Sequence, residues 1–270
     1  MNAGNIGELE KVLQAIAKEF PVELQLSQLA NVPRMAFNIR LISSRVGRSA
    51  VVCDVGGGLS MFAMGCAVVG MKAIMVDDFS DQPSLPFVQR ALELNLRYGV
   101  EVRTRDVIAS GLGAASDAFD AVTCFESMEH WHHSPRGLFH EVMKALVPRG
   151  VFVLSAPNCV NLRKRFAFAF GTGRWSPIED WYDAPEFRGH VREPKVSDLQ
   201  HIAGDLKLAD VEIVGRNWLG YKSDSPVIRR VTPFCDHILR LRPSLCTNLY
   251  LIGRKTQFGP LLEAGANGNP

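Results

Sequence analysis

Several common sequence signatures are absent from this 270-residue chain. The six cysteines form no C-x-x-C pair, so the usual pattern of a zinc ribbon or a dithiol redox site is excluded. The net charge is only +2, which gives no argument for a nucleic-acid partner. The first twelve residues lack the basic start and apolar centre of a secretory signal peptide. We therefore expect a soluble, cytoplasmic protein that binds no nucleic acid and keeps its cysteines reduced.

The most informative stretch that is present runs from Val51 to Asp78. An apolar run ends in Asp54, three glycines follow, and a second apolar run ends in Asp77 and Asp78. This order predicts a strand, a glycine turn, a helix, a second strand and an acidic end, as in a nucleotide-binding βαβ unit. The acidic residues and glycines argue against a membrane span, although the hydropathy is high. Met61 stands where a dinucleotide fingerprint needs its third glycine.

The rest of the chain continues to alternate between strands and helices. The predicted strands are 50–54, 73–77, 100–104, 119–124, 150–155, 210–215 and 248–254, and the predicted helices between them are 60–69, 86–97 and 135–146. Such alternation is typical of a doubly wound, mostly parallel α/β sheet. Ser197-x-x-Gln200 predicts a capping box at the start of a later helix, and Pro233 is expected to interrupt any single helix.

Two helices, 6–20 and 34–45, are predicted before the first strand. They could cover a cofactor site or simply cap the sheet, and the second role is the default.

The glycine turn and four later motifs resemble class I S-adenosylmethionine-dependent methyltransferases. The turn reads D-x-G-x-G, and 23 residues separate Asp54 from Asp77. The later motifs follow in the family's order: Phe119-Asp120, Glu129-His130, Leu146 to Gly150, and Pro157-Asn158. The resemblance implies a seven-stranded Rossmann-like sheet and S-adenosyl-L-methionine as the cofactor. Ser60 departs from the pattern, because the family often has a glycine there.

The same resemblance implies which residues hold the cofactor. Asp54 and the glycine turn would lie against the adenosyl and methionine parts, and Asp77 or Asp78 would hold the ribose. Asp106 would bind the adenine amino group, although an Asp here is equally suited to capping a turn. The full implied set is Asp54, Gly56, Gly57, Gly58, Asp77, Asp78, Asp106, Val107, Phe125 and Glu126. All of these lie at or just after the carboxyl ends of predicted strands, at the edge where open α/β sheets bind ligands.

The acceptor side is suggested by the segment from Gly189-His190 to Glu193. It resembles ubiquinone-biosynthesis-like and glycan-modifying O-methyltransferases, in which an insertion forms a lid over the acceptor. By that likeness the pocket would be shaped by Trp175, Trp181, Tyr182, Phe187 and His190. A packed aromatic loop explains the same residues equally well. A hydroxyl acceptor needs its proton removed, so we take His190 as the first candidate base and His130 as the second.

The predicted organisation is N-terminal helices 1–48, a methyltransferase domain 49–256 with lids 159–195 and 216–245, and a flexible tail 257–270. The predicted acceptor is a small molecule, a glycan or a lipid-linked hydroxyl compound. Arginines interleaved with apolar residues between 227 and 242 suggest a membrane-facing or lipid-carrier-binding element, or more simply the solvated face of a lid helix. Any membrane contact is therefore expected to be peripheral.

Three other interpretations were weighed. His130, His132 and His133 suggest a metal site, but they lie where a loop begins, so we predict no metal. A nicotinamide-dependent oxidoreductase is disfavoured by Met61 and by the lack of a Tyr-x-x-x-Lys pair. A noncatalytic binding protein with the methyltransferase fold stays open, because Ser60 and the uncertain base leave room for it.

Overall fold

A computed structural model describes residues 6–81, 84–174, 176–183, 187, 189–218, 220, 223 and 225–256. Its centre is a seven-stranded sheet with the order β3-β2-β1-β4-β5-β7-β6, in which β7 runs antiparallel to both neighbours and the others are parallel. The strands are β1 (Val51–Val55), β2 (Lys72–Asp77), β3 (Glu101–Thr104), β4 (Phe119–Phe125), β5 (Leu146–Pro157), β6 (Ala209–Arg216) and β7 (Asn248–Arg254). The predicted α/β class and mostly parallel seven-stranded sheet are confirmed.

Ten α-helices accompany the sheet within the described residues. They are α1 (Ile6–Glu19), α2 (Val22–Val46), α3 (Phe62–Val68), α4 (Leu85–Arg97), α5 (Val107–Ser110), α6 (Arg136–Ala145), α7 (Leu162–Ala169), α8 (Ile178–Tyr182), α9 (Val196–Asp205) and α10 (Pro226–Leu239). Each face of the sheet carries one apolar core. The first is filled mainly from α1, α2 and α3, and the second from α6 and α9. Among the described residues, no helix is both long enough and apolar enough to cross a membrane.

The strand order reverses between β1 and β4. β1 pairs in parallel with β2 on one side and with β4 on the other. The connections that leave the carboxyl ends of these two strands therefore diverge and open a crevice, which is where doubly wound sheets bind ligands.

The second helix is longer than predicted. It begins at Val22 rather than at residue 34, and it continues through Pro33. A proline within a helix removes one backbone hydrogen bond and crowds the preceding turn. Here Val32, Met35 and Ile39 are buried against the core on either side of it, and their burial offsets the local cost.

Two predictions about the C-terminal third were wrong. Helix α9 begins at Val196, and Asp198 rather than Gln200 reaches back, accepting the Lys195 N–H at 3.3 Å. Ser197 therefore lies inside the first turn. Helix α10 passes through Pro233 without stopping. Thr232 and Asp236 are buried on either side of the proline, and hydrogen bonds from Asn217 to Asp236 attach the helix to the fold, which offsets the cost of the proline.

Candidate functional site

The glycine turn follows β1 and is packed tightly from below. Gly56 and Gly58 have φ of +71° and +51°, values that favour glycine. A Cβ on Gly57 would lie 2.7 Å from Asp54 Oδ2 and from Met75 Sδ, so a side chain has no room there. A Cβ on Gly58 would meet only Asp77 Oδ2 within 4 Å, at 3.9 Å. The turn thus offers space beside the Asp77 carboxylate, which is where the implied cofactor fits.

Asp77 is fixed at the end of β2 by two backbone donors. The Gly58 N–H donates to Oδ2 at 2.9 Å and the Phe79 N–H donates to Oδ1 at 2.6 Å. Burial raises the pKa of Asp77, and these two hydrogen bonds oppose that shift. Each carboxylate oxygen retains acceptor capacity for a ribose hydroxyl. The neighbouring Asp78 is exposed and instead bonds the N–H and hydroxyl of Ser80.

Asp54 lies beneath the turn rather than at its surface. It is buried, and Thr123 Oγ1 donates to its Oδ1 at 2.7 Å. Burial raises the pKa of Asp54 to about 7, although the Thr123 hydrogen bond lowers it. The side chain therefore supports the glycine turn from the core of the sheet.

Ser60 does not disturb the turn. Its hydroxyl accepts the Phe62 N–H at 3.1 Å and lies 3.5 Å from Met35 Sδ on α2. The serine therefore helps to start α3 and contacts α2. That helix also reaches the turn through Gln28, whose Nε2 donates to the Leu59 carbonyl at 2.9 Å.

Asp106 caps a short helix. Its Oδ1 accepts the N–H groups of Ile108 and Ala109, each at 2.9 Å, at the start of α5. The capping role named as the alternative is therefore present, and contact of Asp106 with an adenine stays a prediction. Val107, the first residue of α5, is buried in the second core.

Glu126 ties four elements together at the end of β4. Its backbone has φ of +53°, a left-handed conformation that costs energy for a residue with a side chain. Ser155 of β5 donates to Oε1 at 3.0 Å and Asn248 of β7 donates to Oε2 at 2.7 Å. Arg34 of α2 forms an ion pair with Oε2 at 3.4 Å. No motif pointed to Arg34, Ser155 or Asn248, because each comes from a distant segment.

Phe125, just before Glu126, packs in the core. Its ring lies edge-on to Phe62 of α3 with centroids 4.9 Å apart. The side chain is half-buried and belongs to the first core at the crevice end of the sheet.

The two candidate catalytic histidines lie together. The rings of His130 and His190 meet edge to face, with centroids 4.8 Å apart. His190 Nδ1 lies 2.8 Å from Glu193 Oε1, and Lys164 of α7 pairs with Oε2 of the same carboxylate. Burial raises the pKa of Glu193, but the hydrogen bonds from His190 and Lys164 outweigh it, so the net pKa is lowered. Sequence reasoning missed both Glu193 and Lys164; the spacing of three between His190 and Glu193 was the available signal.

Glu129 completes this group, which we call the acceptor cluster: Glu129, His130, His190 and Glu193. Glu129 is only 1% exposed, and its Oε2 has no hydrogen-bond partner among the residues that the structure describes. Burial and the nearby Glu126 raise its pKa well above the usual range. Its carbonyl accepts the Val191 N–H at 2.7 Å, which joins the β4 end to the His190 segment.

Metal ligation is geometrically open to part of the acceptor cluster. Ligand atoms of Glu129, His130 and His190 all lie within 4.8 Å of one another. His132 and His133 are exposed and do not belong to this set. The expectation of no metal stays a prediction.

The aromatic residues assigned to the acceptor pocket are scattered. Trp175 lies outside the described residues. Trp181 and Tyr182 of α8 are 62% and 77% exposed, and Phe187 packs beside Gly189, next to His190. Their part in an acceptor pocket stays a prediction.

Comparison with known proteins places this geometry in a family. The profile of the methyltransferase domain family matches residues 29–213, which is more than half of the chain. A probable methyltransferase of Arabidopsis thaliana is 30% identical over 118 residues, a match that spans 43% of this chain and 18% of the relative. The chain therefore corresponds to less than a fifth of that relative's length.

Solved structures share the fold at low identity. An S-adenosylmethionine-dependent methyltransferase from Archaeoglobus fulgidus superposes with a TM-score of 0.53 and 18% identity, covering 83% of this chain and 93% of that one. A second, from Mesorhizobium loti, gives a TM-score of 0.54 and 18% identity, with 85% and 99% covered. Magnesium protoporphyrin IX methyltransferase from Synechocystis, with bound S-adenosylhomocysteine, gives 0.54 and 14%, with 87% and 88% covered. On the family match and the shared fold, this chain belongs to the class I S-adenosylmethionine-dependent methyltransferases.

Proposed function

We propose that this protein transfers a methyl group from S-adenosylmethionine to a hydroxyl of a small-molecule, sugar or lipid-linked acceptor. One observation carries the proposal. Ser127 donates to the Gly56 carbonyl at 2.8 Å, and it begins the short turn Met128–His130 that carries Glu129 and His130 of the acceptor cluster. The turn that suits the cofactor is thus bonded to the segment that carries His130, as alignment of two reactants requires.

The cofactor would be held by the residues around the glycine turn. Gly56, Gly57 and Gly58 allow close approach, and Asp77 would accept hydrogen bonds from the ribose hydroxyls. Asp54 would support the turn from below. The remaining contacts proposed for the adenine, ribose and methionine ends are Asp78, Asp106, Val107, Phe125 and Glu126. When bound, the cofactor supplies a methyl group already activated by its positive sulfur.

The acceptor hydroxyl would lose its proton to His190. Glu193 holds Nδ1 of that ring, so Nε2 is the nitrogen that can accept. The acceptor oxygen would take the methyl group that the bound cofactor supplies, with the cofactor's sulfur as the leaving group, and Nε2 of His190 would take the proton. His130, packed against His190, is the second candidate for this role.

A methyl-transfer screen across sugar, phenolic and lipid-linked hydroxyl acceptors tests the reaction, with release of S-adenosylhomocysteine as the readout. His190→Gln should abolish turnover while calorimetry shows unchanged cofactor binding. His132→Gln is the matched control, since His132 is exposed nearby. If His190→Gln turns over normally with binding intact, the base assignment is wrong. If millimolar cofactor does not bind at all, the protein is a noncatalytic member of the family.

A further inference from the structure

Helix α10 has its polar and apolar faces reversed relative to an ordinary surface helix. Its two buried residues are polar: Thr232 and Asp236, one turn apart. Asp236 Oδ1 accepts from both the backbone N–H and the side-chain amide of Asn217, each at 3.0 Å. Among the described residues, the hydrogen bonds from Asn217 to Asp236 attach this helix to the fold, and most of its apolar side chains are turned outward.

The outward face is a continuous apolar stripe. It comprises Val227 (69% exposed), Val231 (46%), Phe234 (68%), Ile238 (50%) and Leu241 (76%). The alternating spacing of four and three residues places the first four along one side of the helix, and Leu241 follows just after its end. Scattered exposed apolar residues are normal, but an aligned row of this length marks an interaction surface.

Charge around the stripe is of one sign. Arg229, Arg230, Arg240 and Arg242 are exposed, and the only acidic residue from 226 to 245 is the buried Asp236. A helix with an exposed apolar row and only basic exposed charges elsewhere on its surface is the pattern of a helix that lies in the interface of an anionic membrane. A second copy of the chain is disfavoured as the occupant, because pairing two such faces would bring the arginines together.

A second element, α7, repeats this composition. Phe166 and Phe170 are 56% and 78% exposed, and residues 159 to 178 include no acidic residue. Arg165 of α7 donates to the Ser244 carbonyl at 3.1 Å, so α7 meets the segment that follows α10. Helix α7 and the segment after α10 border a cavity of about 490 Å³ whose lining includes Arg165, Leu241 and Arg242.

We infer that α7 and α10 form a docking face for an anionic phospholipid bilayer. The apolar side chains enter the acyl boundary while the arginines meet the phosphate headgroups. Lys164 of α7 also contacts Glu193, so the docking face and the acceptor cluster are joined through one helix. The inference goes beyond the proposed reaction and stands or falls without it.

Co-sedimentation of the full chain with vesicles tests the inference. We expect binding to phosphatidylcholine vesicles that contain about 30 mol% phosphatidylglycerol, weaker binding to pure phosphatidylcholine, and release by salt. Phe234→Asp should weaken binding at least ~10-fold, whereas Leu96→Asp on α4, at 65% exposure, should leave it unchanged. Arg229→Glu with Arg230→Glu should weaken it similarly, and Lys11→Glu with Lys72→Glu controls for the same change in net charge.

Cys235 gives a second measurement that needs no destabilising variant. It is exposed on α10, whereas Cys53, Cys66, Cys124 and Cys246 are buried. An environment-sensitive dye on Cys235, in a Cys159→Ser background, should shift to the blue with anionic vesicles only. Absent wild-type binding, or equal binding by the α10 variants and their controls, would overturn the inference. So would a dimer in vesicle-free solution that Phe234→Asp dissociates, because the face would then belong to a second copy.

Discussion

Glu193 holds His190 by its Nδ1 atom, at 2.8 Å, while Lys164 contacts the other carboxylate oxygen. Glu193 does not itself touch the acceptor in this arrangement and is a positioning residue. We expect Glu193→Gln to lower kcat about 10- to 100-fold, because the amide no longer holds the imidazole with a charged acceptor. Steady-state kinetics should show the cofactor Kd unchanged and Glu193→Asp partly active. Glu212→Gln, at an exposed ion pair with Arg45, is the control, and an equal loss there would remove the special role of Glu193.

Asp77 and Asp78 offer a direct comparison for the cofactor site. Asp77→Asn should weaken S-adenosylmethionine binding about 10- to 100-fold, since charge-assisted hydrogen bonds of about 1.5–3 kcal/mol would be lost. Asp78→Asn should have a smaller effect, because that carboxylate bonds the exposed Ser80. Isothermal calorimetry measures both. Similar losses of cofactor affinity in the two variants would indicate that both carboxylates bind the ribose.

Gly57→Ala should damage the site more than the chemical change suggests. The new Cβ would lie 2.7 Å from Asp54 Oδ2 and Met75 Sδ, so the turn must move. We expect weaker cofactor binding and a lower Tm, measured by thermal denaturation with and without cofactor. Gly137→Ala, where no atom lies within 4 Å, is the control. An unchanged Gly57→Ala protein would show that the turn is more adaptable than its packing implies.

Asp54 should make stability depend on pH. Burial raises its folded pKa from 3.8 to about 7. Between these values the folded protein holds a proton that the unfolded chain releases, so stability falls as pH rises, and above pH 7 the full penalty remains. Asp54→Asn removes this ionisation penalty. The variant's gain in free energy of unfolding over wild type should therefore grow from near zero at about pH 4 to on the order of 3 kcal/mol at about pH 8. Urea denaturation at both pH values checks this, and an equal effect at both would contradict it.

Chelation separates proton transfer from metal ligation at the acceptor cluster. With His190 as the base, dialysis against EDTA should leave methyl transfer unchanged, and metal analysis of the active protein should find no stoichiometric ion. Glu129, His130 and His190 are close enough together to bind one, so the result is informative either way. Loss of activity on chelation with recovery on added Mn²⁺ would reassign the histidines as ligands.

Much of the fold could be predicted from the sequence, because strands and turns depend largely on interactions between residues that are close in the chain. Alternating apolar runs predicted the strands, and the glycine turn with Asp54 and Asp77 predicted the crevice, since these features depend on near neighbours. The prediction failed at Pro33 and Pro233, where local propensity disfavours a helix. At both sites contacts with distant residues offset the cost of the proline, and such contacts leave no periodic signal in the chain.

The sequence by itself determined the α/β class, the order of the family motifs and the pair His130 and His190 as acceptor-side candidates. Only the tertiary structure decided what surrounds them. Arg34 reaches Glu126 across 92 residues, and Lys164 and His190 share Glu193. It also turned the apolar side of α10 outward, which the sequence could not specify. The buried face of this helix is set by its polar partner: Asn217 donates two hydrogen bonds to Asp236. Folding alone brings these two residues together.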